Sequence, residues 1–260
     1  VIAVPSHAFR SVLNRLNDAL TGCSEPPQIC WGTKGFEFGT GLLLSEVFDQ
    51  VLGHTAQPAV LSGPSFATEV AQRLPTALTV AARNETVADT VASWFRDNRT
   101  RVYTSTDLSG VQLGGAIKNV MAIAAGISDG LGFGANARAA LITRGLTEMS
   151  RLGIVLGGQV ETFMGLTGMG DLILTCTDDQ SRNRRLGLGI GKGKSKEDML
   201  SEIGQEAEGI NTTRELYRKS AVTAVEMPIT EQVYKVLFED LDPTLAVTAL
   251  LSRQARTENP

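Results

Sequence analysis

The sequence predicts an α/β protein, a parallel sheet with crossover helices followed by an all-helical part. Two observations carry this. Short β-branched runs alternate with longer amphipathic runs through the first hundred residues or so. From about Leu108 onward the strand pattern stops and helical periodicity takes over.

The elements follow in order. Val1–Val4 reads as a strand ending at Pro5, and Ser6 as the N-cap of a helix reaching about Leu20. Gln28–Gly32 is a second short apolar run. Gly41–Leu52 places Leu42, Leu43, Val47, Val51 and Leu52 at helix spacing. Pro58–Leu61 is strand-like and leads into Ser62-Gly-Pro-Ser-Phe66, a strand-to-helix turn. Thr76–Ala81 reads as a strand, Glu85–Phe95 as a helix and Arg101–Thr104 as the last strand. Beyond the boundary, helices are expected over 109–127, 135–156, 159–164, 181–190, 196–203, 207–220, 228–238 and 243–253. Residues 1–108 and 109–260 are therefore expected to be two domains with ligands at their junction.

The chain, 260 residues long, can bury a sizeable core. Its net charge of −4 gives no general attraction to nucleic acid or anionic membrane. Three widely spaced cysteines, Cys23, Cys30 and Cys176, support neither a zinc ribbon nor a disulfide framework, so a cytoplasmic setting is expected. Two histidines leave little room for histidine-based metal sites. No run reaches the ~18 apolar residues of a membrane span, so no membrane insertion is expected.

Lys118 is the only charged side chain between Asp107 and Asp129. A lysine in such an apolar helix either snorkels to water or sits desolvated beside a partner. Desolvation lowers its pKa and makes it a usable proton donor near neutrality. Asp171, in Gly168-Met-Gly-Asp-Leu-Ile-Leu-Thr-Cys176, is either an N-cap or the carboxylate that orients such an ammonium. Ser181-Arg-Asn-Arg-Arg185 is either a solvated helix start or an anion site, built from a helix N-terminus and an arginine fork. Lys34, in Thr33-Lys-Gly-Phe-Glu37, follows a strand and either faces the crevice or sits on a surface loop. Ser62-Gly-Pro-Ser65 has the same placement. Gly187–Ser195 resembles a phosphate loop, but Leu188 stands where the motif needs glycine. A flexible exposed turn is expected there instead. No G-x-G-x-x-G occurs. Two lysines, an aspartate and a basic cluster suit proton transfer on a small phosphorylated substrate.

The segments VPSHAFR, WGTKGFE, LSGPSFATEVA, GVQLGGAIKNVMAIAAGISDGLGFGANARAALITRGLTEMSRLG, GMGDLILTCTDDQSRNRRLG and VEMPITEQVY resemble bacterial NAD(P)-dependent glycerol-3-phosphate dehydrogenase along essentially the whole chain. The resemblance implies a Rossmann-type sheet, an all-α substrate domain and reversible reduction of dihydroxyacetone phosphate with NAD or NADP, supplying glycerol phosphate for phospholipid synthesis. It implies that Lys118 exchanges the proton on the C2 oxygen, with Asp171 in the same catalytic site. Substrate contacts implied are Lys34, Gly63, Ser65, Asn119, Thr175, Ser181, Arg182 and Asn183. Cofactor contacts implied are Lys34, Ala67, Arg182, Glu206 and Glu208, with Glu206 a departure from an apolar position that would act through backbone. A homodimer is implied as well. The glycine-rich segment that seats the pyrophosphate in this family is not in the sequence, which begins at what resembles the fourth strand. Poor dinucleotide binding by this chain alone is therefore expected. The competing expectations are a related hydroxyacid or 6-phosphogluconate-type dehydrogenase, from which the QSRNRR block separates it, and a non-catalytic phosphometabolite-binding module.

Overall fold

The structure is a computed structural model and describes residues 1–20 and 22–253. A 3-10 turn at Ser6–Ala8 leads into α1 (Phe9–Leu20), followed by β1 (Gln28–Trp31), α2 (Leu44–Val51), β2 (Gln57–Ser62) and α3 (Ala67–Ala71). Then come β3 (Thr76–Ala82), α4 (Glu85–Ser93) and β4 (Thr100–Ser105). The helical part holds α5 (Leu108–Gly130), α6 (Gly134–Val155), α7 (Val160–Met164), a π-helical turn at Leu166–Gly170 and α8 (Asp171–Thr177). It continues with α9 (Arg182–Gly191), α10 (Lys196–Ile203), α11 (Gly209–Thr223), α12 (Pro228–Phe238) and α13 (Pro243–Leu251).

The strands lie in the order β1-β2-β3-β4. β1 runs parallel to β2 and β3 parallel to β4, while β2 and β3 are antiparallel. The expectation of uniformly parallel pairing is corrected at that one step. Its cause is local: α3 has only five residues, too short to carry the chain back along the sheet, so β3 returns beside β2 in the opposite sense. The expected first strand shrinks to a single parallel bridge, Ile2 to Trp31. Its backbone bonds tie Ile2 N to Cys30 O at 2.7 Å and Gly32 N to Ile2 O at 3.0 Å. Alternation sorts the strand residues between two faces. Ile29 and Trp31 meet α1 and α2, where Trp31 packs between Phe9 and Phe48. Cys30, Ala59 and Val80 meet Val87, Ala88 and Val91 of α4.

α5 is the axis of the molecule. Asp107 caps its start: Gly110 N donates to Oδ1 at 2.7 Å, while Gln159 N and Thr162 Oγ1 donate to Oδ2 at 2.8 and 2.6 Å. Gln112 then fastens it to α2, accepting from Ser45 N at 3.0 Å and donating to Ser45 Oγ at 2.9 Å. The helix is long and apolar enough to cross a membrane, yet is wholly wrapped by other elements. α9 packs on it backbone to backbone. A Cβ on Gly187 would stand 2.0 Å from Ile123 O, and one on Gly126 2.1 Å from Arg184 O. This corrects the exposed turn expected over Gly187–Ser195. Gly187 and Gly189 are buried helical residues, and the turn is confined to the residues between α9 and α10. The glycines serve close helix approach rather than looseness.

Candidate active site

Four side chains converge where the sheet meets α5. Lys118 points from α5, Asp171 and Thr175 from α8, and Lys34 from the turn after β1. Asp171 is the hub, with a side chain only 1 % exposed. Lys118 Nζ donates to its Oδ1 and, at 2.8 Å, to Thr175 Oγ1. Lys34 Nζ donates to its Oδ2 at 2.6 Å. Asp171 and Thr175 are one helical turn apart, so α8 presents both to Lys118. Asp171 is the first residue of α8 and Gly170 is its N-cap, so the carboxylate is spent on the lysines rather than on capping. The π-turn delivers the chain to this point. It lies against α5 at Gly114, where a Cβ would meet Thr167 O at 2.6 Å.

Lys34 reaches the hub because its turn is rigid. Thr33 Oγ1 donates to Val4 O at 2.7 Å. Gly35 takes φ +105°, open to glycine and strained for other residues. Arg10 grips Glu37 with two bonds, at 2.6 and 2.8 Å. Gly115, three residues before Lys118, makes room for the incoming stem: a Cβ there would lie 3.5 Å from Lys34 Cγ and Cδ. Sequence reasoning missed Gly115, although a glycine one turn from a buried lysine is a readable sign of close approach.

One carboxylate faces two ammonium groups, and this sets their acidities. Burial drives Lys118 down to about 7, and the nearby Lys34 charge adds to that against the pull of Asp171. Burial also opposes the Lys34 charge, but the Asp171 carboxylate outweighs it and the net direction is upward. Burial likewise opposes the charge on Asp171, yet the two ammonium groups hold its carboxyl below the usual range. Lys118, with the more buried side chain, is the group left ready to exchange a proton.

The second cluster lies at the start of α9. Ser181 is the N-cap, its Oγ accepting from Arg184 N at 3.2 Å. Arg182 is exposed and donates to Gln205 at 3.1 Å. Asn183 is buried, and its Oδ1 accepts from Gly209 N at 3.0 Å, which leaves its amide nitrogen to donate elsewhere. A Cβ on Gly209 would meet Asn183 Oδ1 at 2.7 Å and Asn119 O at 2.9 Å, so Asn119, Asn183 and α11 form one packed unit. Glu208, half-buried, is raised by burial, against the pull of Arg182 and Lys34. Glu206 turns to the surface and pairs with His7 at 3.0 Å. Gly63, at φ +135°, follows β2, and Ser65 Oγ bonds back to Gly63 O at 3.1 Å. Ala67 opens α3. No hydrogen bond among the described residues ties Ser65 or Ala67 to the lysine pair. Among the described residues no cluster of His, Cys, Asp or Glu is placed to hold a metal ion.

A strand-end lysine from the sheet meets a buried lysine and carboxylate from the helical part, which places a proton-transfer site of an α/β enzyme where the two parts join. Residues 1–88 match NAD-dependent glycerol-3-phosphate dehydrogenase N-terminus, and residues 107–248 match NAD-dependent glycerol-3-phosphate dehydrogenase C-terminus. Glycerol-3-phosphate dehydrogenase [NAD(P)+] of Pseudoalteromonas translucida is 53 % identical over 259 residues, covering 99 % of this chain and 76 % of the relative. That of Nitrosococcus oceani is 55 % identical over 258 residues, covering 99 % and 74 %. The crystal structure of glycerol-3-phosphate dehydrogenase from Coxiella burnetii superposes with a TM-score of 0.91 at 50 % identity, covering 97 % of this chain and 76 % of that one. The chain belongs to the NAD-dependent glycerol-3-phosphate dehydrogenase family. The hydroxyacid and 6-phosphogluconate alternatives fall away with that finding.

Proposed function

We propose that the chain interconverts dihydroxyacetone phosphate and sn-glycerol 3-phosphate, with Lys118 exchanging the proton on the C2 oxygen. The observation that carries this is the single buried carboxylate shared by two ammonium groups. In reduction, negative charge grows on the C2 oxygen. Lys118 as ammonium stabilises that charge and gives up its proton, a contribution of ~10²–10⁴-fold for general acid catalysis. Asp171 and Thr175 hold the ammonium in place, and Lys34 adds positive charge beside the oxygen. Arg182, Asn183 and Ser181, with Asn119 behind them, take the phosphate, which fixes the reacting carbon against Lys118. Gly63 and Ser65 close the substrate side.

The residues fit the nicotinamide half of NAD or NADP. Gly32, at the end of β1, has open space where a Cβ would stand, and Glu208 lies within electrostatic reach of both Arg182 and Lys34. Lys34, Ala67, Arg182, Glu208 and the backbone at Glu206 would hold it. When bound, it supplies or removes the hydride at C2. Residues 1–108 act in this reading as the dinucleotide-binding part and 109–260 as the substrate part, in a cytoplasmic homodimer. Exposed Ile154, Val155, Val160, Met164 and Ile173 offer apolar surface for the second copy. The test is Lys118→Ala in a protein that carries the family's glycine-rich segment together with this chain, followed at the reduced-nicotinamide absorbance. The rate of dihydroxyacetone phosphate reduction should collapse, and survival within a few-fold refutes the role.

A further inference from the structure

Three consecutive residues of α9 point three ways, as steps of about 100° around a helix require. Arg182 faces solvent, Asn183 faces α11, and Arg184 turns inward. Arg184 is buried, its side chain 9 % exposed. Its Nη1 lies 2.8 Å from Asp129 Oδ2 on the last turn of α5, and its Nε lies 3.1 Å from Asp179 in the turn before α9. These are off-axis ion pairs without aligned hydrogen bonds, and among the described residues Asp129 Oδ1 has no donor. The same Asp129 oxygen accepts from Arg138 of α6 at 2.7 Å. An arginine of the basic cluster is thus consumed inside the protein.

The helices it joins meet through glycine. Gly126 and Gly130 of α5 face Arg184, Leu188 and Gly191 of α9, while Gly187 and Gly191 face Ile123 and Ile127. Backbone against backbone fixes how closely two helices approach. Along the glycine seam itself, among the described residues, no side chains interlock, and Leu186 and Ile190 pack beside it with Ile123 and Ile127 in the common core. A charged fork at the end of the contact adds a stop against sliding or rotation of one helix on the other. We propose that Arg184 and Asp129 are a positioning pair. They set the register of α9 on α5, and with it the separation between the anion-facing Arg182 and Asn183 and the proton-exchanging Lys118. Arginine suits the task because its long, planar head spans Asp129 and Asp179 at once. The inference rests on the proposed function.

The test uses Asp129→Asn, Arg184→Lys and the paired change Arg184→Met with Asp129→Leu. The paired change removes both buried charges together and can leave the fold intact. Thermal unfolding identifies the folded variants. Calorimetry then gives the affinity for sn-glycerol 3-phosphate, and turnover is compared for dihydroxyacetone phosphate and for unphosphorylated dihydroxyacetone. In the paired variant and Asp129→Asn, affinity and kcat/KM for the phosphorylated substrate should fall on the order of 10-fold or more. Arg184→Lys should fall less. Turnover of unphosphorylated dihydroxyacetone should stay unchanged, because Lys118 and Asp171 are untouched. Wild-type affinity in a folded paired variant overturns the proposal. An equal fall with both substrates overturns it too, and so does loss of folding in all three, since the pair would then hold the fold rather than a register. A wild-type protein that ignores sn-glycerol 3-phosphate refutes the functional reading instead.

Discussion

Replacing Asp171 with asparagine removes the shared carboxylate while keeping its shape. Unit charges about 4 Å apart interact by about 4 kcal/mol at an effective dielectric of about 20. That corresponds to about three pKa units. Lys118 already sits near 7 because of burial. Without the carboxylate its pKa falls well below that, since burial and the neighbouring Lys34 charge both disfavour the ammonium. At pH 7 the ammonium form then becomes the minor one. Reduction of dihydroxyacetone phosphate at pH 7 should therefore fall roughly 10²–10³-fold. Part of the loss should return as the pH is lowered toward the shifted value. Loss of the Lys118 proton limits the cost to the fold, since the site neutralises instead of holding two bare ammonium groups. The assay is a pH–rate series on the variant, with a thermal unfolding curve beside it. A variant within about three-fold of wild type at pH 7, with an unshifted profile, refutes the hub role of Asp171.

The wild-type enzyme should show opposite limbs in its two directions. Reduction needs the Lys118 ammonium and should decline as pH rises through about 7, whereas oxidation of sn-glycerol 3-phosphate needs the free amine and should decline as pH falls. Matching profiles in both directions would sink the assignment. Glu148 accepts from Ile229 N at 2.5 Å and from Thr230 N at 3.2 Å, yet burial still pushes its carboxyl from 4.5 up to about 7. Between those values the folded state holds a proton that the unfolded chain has lost, so stability should fall by about 3 kcal/mol as pH rises through the window. Glu148→Gln should flatten that slope in urea titrations. Gly187→Ala drives a methyl onto Ile123 O and should cost about 3 kcal/mol, near the top of the overpacking range, seen as a lower Tm.

Periodicity located most helices because they bury one face, and that pattern is written locally. α8 escaped because it is a seven-residue segment entered from a π-turn, whose lengthened hydrogen bonding depends on packing against α5. The antiparallel step between β2 and β3 escaped for a similar reason, since strand direction is decided by how far the connection travels. Lys118 was legible because one charge in an apolar helix demands an explanation. Its pairing with Asp171 was legible only as a possibility, because the residues are 53 positions apart. Glycine misled most. At Gly187 it reads as looseness, yet it marks one of the tightest contacts in the helical part. The same composition serves a turn and a close-packed seam, and only the partner helix tells them apart.

The full enclosure of α5 also bears on how the protein is made. A helix with an outward polar face can form early and wait. α5 has no such face: its partners α8, α9 and α11 all follow it in the chain. During synthesis this apolar segment emerges before anything in the helical part can cover it. Productive folding should therefore depend on the arrival of α9. Ribosome-bound chains ending before Arg182 should bind chaperones more strongly than chains extending past Thr223.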